Sequence, residues 1–370
     1  MRALVLGATG AIGRVVAAEL SRSSEVDELT LAARNEGRLK WLLELLGDDS
    51  SRLSALAFDL RDERARERHF GELSPDLVIS CAGPARELEV DCARTAVETG
   101  ASWLSAANDH SVAEAVRALD PTAIEAGVTV VSGCGLSPGL TNLLATLAAR
   151  ELDEIQEVEI AVARSMRDPA GEAALAQLLA ALSGPAPSIS EGQRTIEPAP
   201  KPHLVYFPEP VGWVETFSGA SPELSTLVHK WPLLRLLRWR VGMVEKPAMD
   251  ALRLLSAGPW ASRWAGWRAV AGRALGQSLG GWPSHAPGWS AARVDLRGRS
   301  GPRSHSVSYG VADHLVNLTA VPLVAAAFEL SSDRTEPGVK APEEAFDAGA
   351  LLMRVSRRGV RIARLEPYDL

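Results

Sequence analysis

Cysteine is scarce in this chain: Cys81, Cys92 and Cys134 are the three in 370 residues, an odd number with no CxxC pair. That pattern indicates neither a disulfide framework nor a zinc site and suits a reducing compartment, so a cytoplasmic location and no metal are expected. A basic excess is missing too, since 39 Lys and Arg face 46 Asp and Glu for a formal charge of −7. A whole-protein electrostatic grip on nucleic acid, which needs a basic face to displace counterions, is therefore not expected. Lysine is rare beside arginine, and with abundant Ala and Gly this reflects composition rather than function. No signal-peptide pattern opens the chain, because residues 1–6 already read as a strand. The longest uncharged run, 127–149, has the length of a membrane span, but Gly133, Gly135, Pro138 and Gly139 interrupt it. A strand, a tight loop and a helix start suit it better, and no integral span is expected.

What is present describes a folded globular protein: 46% hydrophobic and 23% charged residues, with a chain long enough for two domains. Residues 2–6 form a short apolar run that leads directly into Gly7-Ala-Thr-Gly10-Ala-Ile-Gly13 and then into a helical apolar pattern through Val16 and Leu20. Strand, glycine loop and helix in this order predict a dinucleotide site. Gly7 makes the sharp turn, Gly10 lets a pyrophosphate approach the backbone, and Gly13 lets the helix pack closely. Thr9, Ala11 and Ile12 lie in the same loop, where free N–H groups face the anion.

The second strand, 29–33, ends at Arg34 and Asn35. An acid at that end holds a ribose 2′-OH, whereas a cation accommodates a 2′-phosphate. Asp27 and Glu28 precede the strand and sit at its wrong end, so Arg34 points to NADP; its other reading is a solvated loop cation. Further strands are predicted at 54–58, 76–80 and 128–132, separated by helical segments, which implies a parallel doubly wound sheet. Ligands of such sheets bind beyond the carboxyl ends of the strands, which places Asp59 near the adenine and Ala82, Gly83 and Pro84 near the nicotinamide ribose. Asp59 reads equally as the N-cap of a helix over 62–70.

Beyond residue 150 the pattern changes. Alternation over 155–162, 290–296 and 305–309 predicts at least three strands outside the nucleotide domain, and the Pro-, Gly- and Ser-rich stretch 183–202 reads as a long loop or lid. The window 224–275 holds nine cations against Glu245 and Asp250, with Trp260, Trp264 and Trp267 spaced to share one helix face. One reading is an amphipathic helix packed on the middle sheet. The other is a mobile cover that meets a hydrophobic substrate, an acidic carrier protein or a membrane surface.

Several stretches in order resemble the saccharopine dehydrogenase-like (saccharopine reductase-like) family: Val5-Leu-Gly-Ala-Thr-Gly-Ala-Ile-Gly13, Leu31-Ala-Ala-Arg34, Asp76-Leu-Val-Ile-Ser-Cys-Ala-Gly-Pro84, Gly133-Cys-Gly-Leu-Ser-Pro-Gly-Leu140 and Gly338-Val-Lys-Ala-Pro-Glu343. The resemblance implies an NAD(P)-dependent oxidoreductase, often acting on C=N bonds of imines. It also implies a middle insertion that forms a mixed sheet with helices, a C-terminal segment that returns to the nucleotide domain, and homodimers through the middle sheet. The expected architecture is thus α/β: a Rossmann-type doubly wound sheet over 1–141 and 320–370, with a second α+β domain inserted at 142–319. Family members that act on amino acids hold carboxylates with cations and polar groups. This middle segment is rich in Trp, Leu and Pro, so a relatively apolar small molecule is expected instead.

Hydride transfer requires an acceptor held over the nicotinamide, with the cofactor supplying the difficult step. Asn108, Cys134, Ser137, Pro138 and Gly139 are expected to flank the substrate. Asp109 beside His110 is a candidate acid pair, although Ser111 and Glu114 have capping-box spacing and favour a helix cap headed by Ser111. Tyr309 is a further catalytic candidate, with a strand position as its structural reading. Cys134 reads more readily as a small buried hydrophobe than as a nucleophile. The resulting expectation is an NADP-dependent reductase of a C=N bond or, less directly, a carbonyl. A non-redox enzyme on the same fold, such as a cyclase, and a catalytically silent NADP sensor are the alternatives.

Overall fold

Past Arg2, every residue of the first strand, β1 (Arg2–Leu6), is buried, as a central strand covered on both faces requires. The computed structural model describes residues 1–47, 52–168, 186–197, 202–257, 288–332 and 335–367. They form two units, one of Met1–Leu140 with Thr319–Arg358 and one of Thr141–Leu318 with Gly359–Leu370.

The first unit alternates strand and helix: β1, α1 (Ala11–Ser21), β2 (Glu28–Ala33), α2 (Glu36–Leu46), β3 (Leu53–Ala57), α3 (Glu63–Leu73), β4 (Leu77–Ser80), α4 (Ala85–Glu98), β5 (Ser102–Ser105), α5 (His110–Arg117), α6 (Asp120–Ala126) and β6 (Thr129–Val131). The returning segment adds Gly338–Lys340, β15 in chain order, with two short helices after it. All seven strands pair in parallel in the order β15-β6-β5-β4-β1-β2-β3. The chain leaves β1 toward β2 on one side and enters β4 on the other, so the crevice beyond the carboxyl ends of β1 and β4 is the switch point where such sheets bind ligands. The run 101–106 had no strand assignment from its sequence, yet Ser102–Ser105 is β5, with Trp103 fully buried. Four residues are too few to display a period.

The second unit holds β7 (Glu154–Arg164), β8 (Ala186–Ser190), β9 (Gln193–Glu197), β10 (His203–Phe207), β11 (Gly212–Ser218), β12 (Leu236–Met243), β13 (Ser290–Ser300), β14 (Arg303–Asp313) and β16 (Ile362–Leu365) in one mixed sheet. Only β12 and β7 run parallel among its described pairings. Helices α7 (Leu140–Ala149), α8 (Glu223–Lys230), α9 (Lys246–Ala257) and α10 (Leu315–Leu330) complete the middle of the chain.

Three sequence expectations change here. The supposed lid at 183–202 contains a hairpin, because alternating residues at 186–190 and 193–197 flank Glu191 and Gly192, both at positive φ. The window 224–275 is not one helical cover: its described part is helix, strand, helix, with β12 between β11 and β7. Trp260, Trp264 and Trp267 lie outside the described residues. Finally, 359–370 had been assigned to the nucleotide domain, but β16 pairs with β14 of the second sheet. No helix among the described residues is long and apolar enough to cross a membrane.

Candidate cofactor and substrate site

The glycine loop is held by contacts that tolerate no side chain. Gly7 has φ +71°, and a Cβ there would stand 2.9 Å from the Ala82 backbone, so the loops after β1 and β4 touch. A Cβ on Gly13 would come within 2.3 Å of the Gly7 carbonyl oxygen, which is how closely α1 presses on the loop. Gly10 is the N-cap of α1 without a side-chain cap, and a Cβ there would meet only the Gly7 oxygen, at 3.2 Å. The first backbone bond back into the helix is from the Arg14 N–H to the Gly10 oxygen, at 3.0 Å. The N–H groups of Ala11, Ile12 and Gly13 therefore have no partner within the helix, beside half-buried Thr9. A negatively charged pyrophosphate fits this cradle.

Arg34 follows β2 directly, is exposed, and has no hydrogen bond or ion pair among the described residues. Asn35 is the N-cap of α2 and accepts the Arg38 N–H at 2.9 Å, so its side chain is committed to the helix. Arg38, one turn on and exposed, is a second cation near the same end, which sequence reasoning missed. Asp59 accepts the Arg61 N–H at 3.0 Å, while the cap of α3 is Asp62 rather than Asp59.

The carboxyl ends of β5 and β6 are joined by a buried carboxyl group. Glu89, 2% exposed on α4, takes the Trp103 indole N–H at 3.0 Å, the Ser132 hydroxyl at 3.0 Å and the Ser105 hydroxyl, all on Oε1. Burial pushes its carboxyl above the usual range despite these three donors. Sequence reasoning missed Glu89, although the buried face of α4, with Ala85, Leu88, Cys92, Ala93 and Ala96, includes position 89. Ser105 also ties two loops: its carbonyl accepts the Cys134 N–H at 2.7 Å, and its hydroxyl accepts the Ala107 N–H at 3.4 Å. In the second loop a Cβ on Gly139 would lie 2.4 Å from the Gly135 oxygen, and one on Gly133 2.6 Å from Pro138. The loop carrying Cys134, half-buried Ser137, Pro138 and Gly139 is thus a tight fold of backbone. Burial pushes the Cys134 thiol up, which disfavours its thiolate form.

Asp109 corrects the expected cap. It, not Ser111, heads α5, accepting the N–H groups of Ser111 and Val112 at 3.0 and 3.3 Å and the Ser111 hydroxyl at 2.6 Å. Its other oxygen accepts Arg86 Nε at 2.5 Å. Burial raises the Asp109 carboxyl, but the bonds from Ser111 and Arg86, the Arg86 charge and the Val112 N–H more than offset it and leave it below the usual range. Asp109 is thus held in place by its partners, and His110 faces Glu114 one turn along α5 at 3.6 Å. Asn108 is half-buried, and its amide has no partner among the described residues.

Tyr309 belongs to the second unit. Its hydroxyl donates to Glu151 Oε1 at 2.8 Å, while Glu151 Oε2 takes Arg364 at 2.6 Å. Burial and then Glu151 push the phenol up, and through Glu151 it is tied to Arg364 of β16. Among the described residues no cluster of His, Cys, Asp and Glu has the composition of a metal site.

Comparison with known proteins agrees with this geometry. Residues 3–131 match the family described as saccharopine dehydrogenase NADP binding domain. A carboxynorspermidine synthase of Vibrio cholerae is 27% identical over 176 residues, 43% of this chain and 42% of that protein, so the match spans about two-fifths of the relative's length. Apo saccharopine dehydrogenase (L-Glu forming) from Saccharomyces cerevisiae superposes with a TM-score of 0.69 at 14% identity, covering 99% of this chain and all of the other. An amine dehydrogenase from Mycobacterium smegmatis gives 0.53 at 13% identity, over 94% and 96% of the two chains. The two structural likenesses establish a shared fold.

Proposed function

We propose that the protein is an NADP-dependent oxidoreductase that reduces a C=N bond, or secondarily a carbonyl, of a small molecule, because residues 3–131 match the saccharopine dehydrogenase NADP binding domain and the chain shares its fold with saccharopine dehydrogenase. The observation that carries this reading is the exposed Arg34 at the carboxyl end of β2, without a hydrogen bond or ion pair among the described residues, together with the start of α1, which has no side-chain cap. The names of the relatives, carboxynorspermidine synthase, saccharopine dehydrogenase and amine dehydrogenase, favour a nitrogen compound over a simple alcohol or ketone.

In this reading the N–H groups of Ala11, Ile12 and Gly13 hold the pyrophosphate, and Arg34, with Arg38 one turn on, holds the 2′-phosphate. The turn of Ala82, Gly83 and Pro84 meets the nicotinamide ribose. When bound, the nicotinamide supplies the hydride. An iminium acceptor already carries its proton on nitrogen, so the chain's task is to hold the acceptor carbon in line and keep competing groups away. The loops 106–109 and 133–139, pinned through Ser105 and Glu89, are built for positioning. A homodimer forms part of the same reading, and sedimentation equilibrium decides it.

Calorimetric titration with NADPH and NADH tests the proposal. The wild type is expected to prefer NADPH, and Arg34→Ala to lose that preference, with about a tenfold or greater fall for NADPH and little change for NADH, as for a lost charged hydrogen bond. Equal binding of both nucleotides by the wild type removes the NADP assignment. Failure of either nucleotide to bind a folded sample removes the oxidoreductase reading.

A further inference from the structure

Glu89 sits on the second turn of α4 and reaches across to Ser105 and Ser132, which stand at the carboxyl end of β5 and just past that of β6. Trp103, Ser105 and Ser132 all donate to Oε1, which leaves Oε2 with no hydrogen bond among the described residues. Oε2 is not one of the sealed, unpartnered side-chain atoms either, so it meets solvent although the residue as a whole is 2% exposed. When the carboxyl holds a proton, that proton sits on Oε2, because Oε1 already accepts three. Burial favours this neutral form. A negative charge placed there is poorly hydrated and weakly screened, so it acts on other charges over several ångströms without contact.

The charged and titratable groups on the surrounding elements are engaged elsewhere. Arg86, also on α4, is bound to Asp109, the cap of α5, and burial keeps Cys92, one turn on, protonated. Arg66 of α3 is turned to the Leu60 carbonyl and the Thr95 hydroxyl. Asp120 of α6 takes the Val339 N–H, and Cys134, past β6, is kept protonated by burial and by the charge of Glu343. The strand order sets which half of the cofactor Glu89 faces. The bare start of α1 follows β1 and Arg34 follows β2, so in the proposed reading the pyrophosphate and 2′-phosphate take that side of the sheet. The nicotinamide half then extends toward β4, β5 and β6, where Glu89 lies. Oxidised and reduced cofactor differ there by one positive charge on the ring.

We propose that Glu89 discriminates between the two forms of the cofactor: its carboxylate, acting on the charge of the nicotinamide ring, holds NADP+ in preference to NADPH. This rests on the NADP-dependent reading above and adds to it how the protein tells oxidised from reduced cofactor. In the direction of reduction the same anion stabilises the positive charge that the ring acquires as hydride leaves.

The test measures calorimetric affinities of NADP+ and NADPH for the full-length protein at a series of pH values above the ordinary glutamate range. The 2′-phosphate and adenine are common to both nucleotides, so their titration cancels in the ratio of affinities. That ratio is expected to rise in favour of NADP+ by about fivefold or more as Glu89 ionises, and then to level off. Glu89→Gln is expected to keep the ratio flat, within about twofold of the wild type's value at the acidic end of the series. Ser132→Ala removes one donor from the carboxylate and is expected to move the rise to higher pH. A Glu89 that served structure alone would weaken both nucleotides alike and leave the ratio independent of pH. A flat ratio in the wild type, or an undiminished rise in folded Glu89→Gln, overturns the proposal. If Glu89→Gln does not fold, Ser132→Ala carries the comparison, and a rise at unchanged pH overturns it. If the wild type binds neither nucleotide, the NADP reading fails first and this inference falls with it, whereas binding of both at a flat ratio removes the inference alone.

Discussion

At the scale of single residues, Glu89 shows how burial and hydrogen bonding pull in opposite directions. Three donors converge on Oε1 and stabilise the charged form, but the group is 2% exposed and burial dominates, so its carboxyl titrates above the ordinary glutamate value. A carboxyl raised on folding makes the protein more stable at low pH; that stability declines as pH rises above the unfolded value and levels off above the folded one. Glu89→Gln keeps an oxygen for Trp103, Ser105 and Ser132 but cannot ionise. The stability advantage of wild type over Glu89→Gln should therefore shrink with rising pH across that window, as followed by urea unfolding at a series of pH values. A difference that is flat or grows with pH would show that the three donors, not burial, set the titration.

Individual elements show where sequence patterns are sufficient and where packing decides. The strand, glycine loop and helix of 2–21 were legible because each glycine has a local reason, and Arg34 because its position follows from where β2 ends. The strand β12 was not, since Leu236–Met243 carries Arg238 and Arg240 inside a cationic window, and carboxylates on other strands, Glu197 at 3.2 Å from Arg238 and Glu159 of β7 at 3.6 Å from Arg240, make that register acceptable. The cap of α5 was misplaced by two residues, because spacing suggested Ser111 with Glu114, whereas the carboxylate of Asp109 also reaches Arg86. That choice has a measurable consequence. Asp109→Ala should destabilise the protein by about 0.5–2 kcal/mol near neutral pH, the usual effect of losing a cap. The Asp109 carboxyl lies below the ordinary aspartate value, so its contribution is present above that value and is lost as pH falls from there through the lower folded value. The gap between wild type and Asp109→Ala should close over that acidic range, and a gap that persists there would mean that the carboxylate is not what caps the helix.

At the scale of the whole molecule, the second unit is closed by one cation. In the strand order β10-β11-β12-β7-β13-β14-β16, β10 and β16 are at opposite ends, yet Arg293 of β13 donates to the Tyr206 carbonyl of β10 at 3.0 Å and to the Glu366 carbonyl just past β16 at 3.1 Å. A Cβ on Gly310 would likewise stand 2.7 Å from Pro208 and 2.9 Å from Leu365, so the sheet curls until its two ends meet over β13 and β14. Arg293 is 1% exposed, and both oxygens of Asp295 accept its Nε at 2.9 Å. A buried charge with this many acceptors cannot be replaced by an apolar chain without stranding Asp295 and two carbonyl groups. Arg293→Met should therefore destabilise the protein by about 3–5 kcal/mol in urea unfolding. The glycine loop and Arg34 belong to the other unit, so the folded fraction of this variant should keep its NADPH affinity within about twofold by calorimetry. Unchanged stability would show that the curl is held by apolar contacts such as those of Val205, Phe207 and Ala291, and that the bond from Arg293 to Glu366 closes nothing.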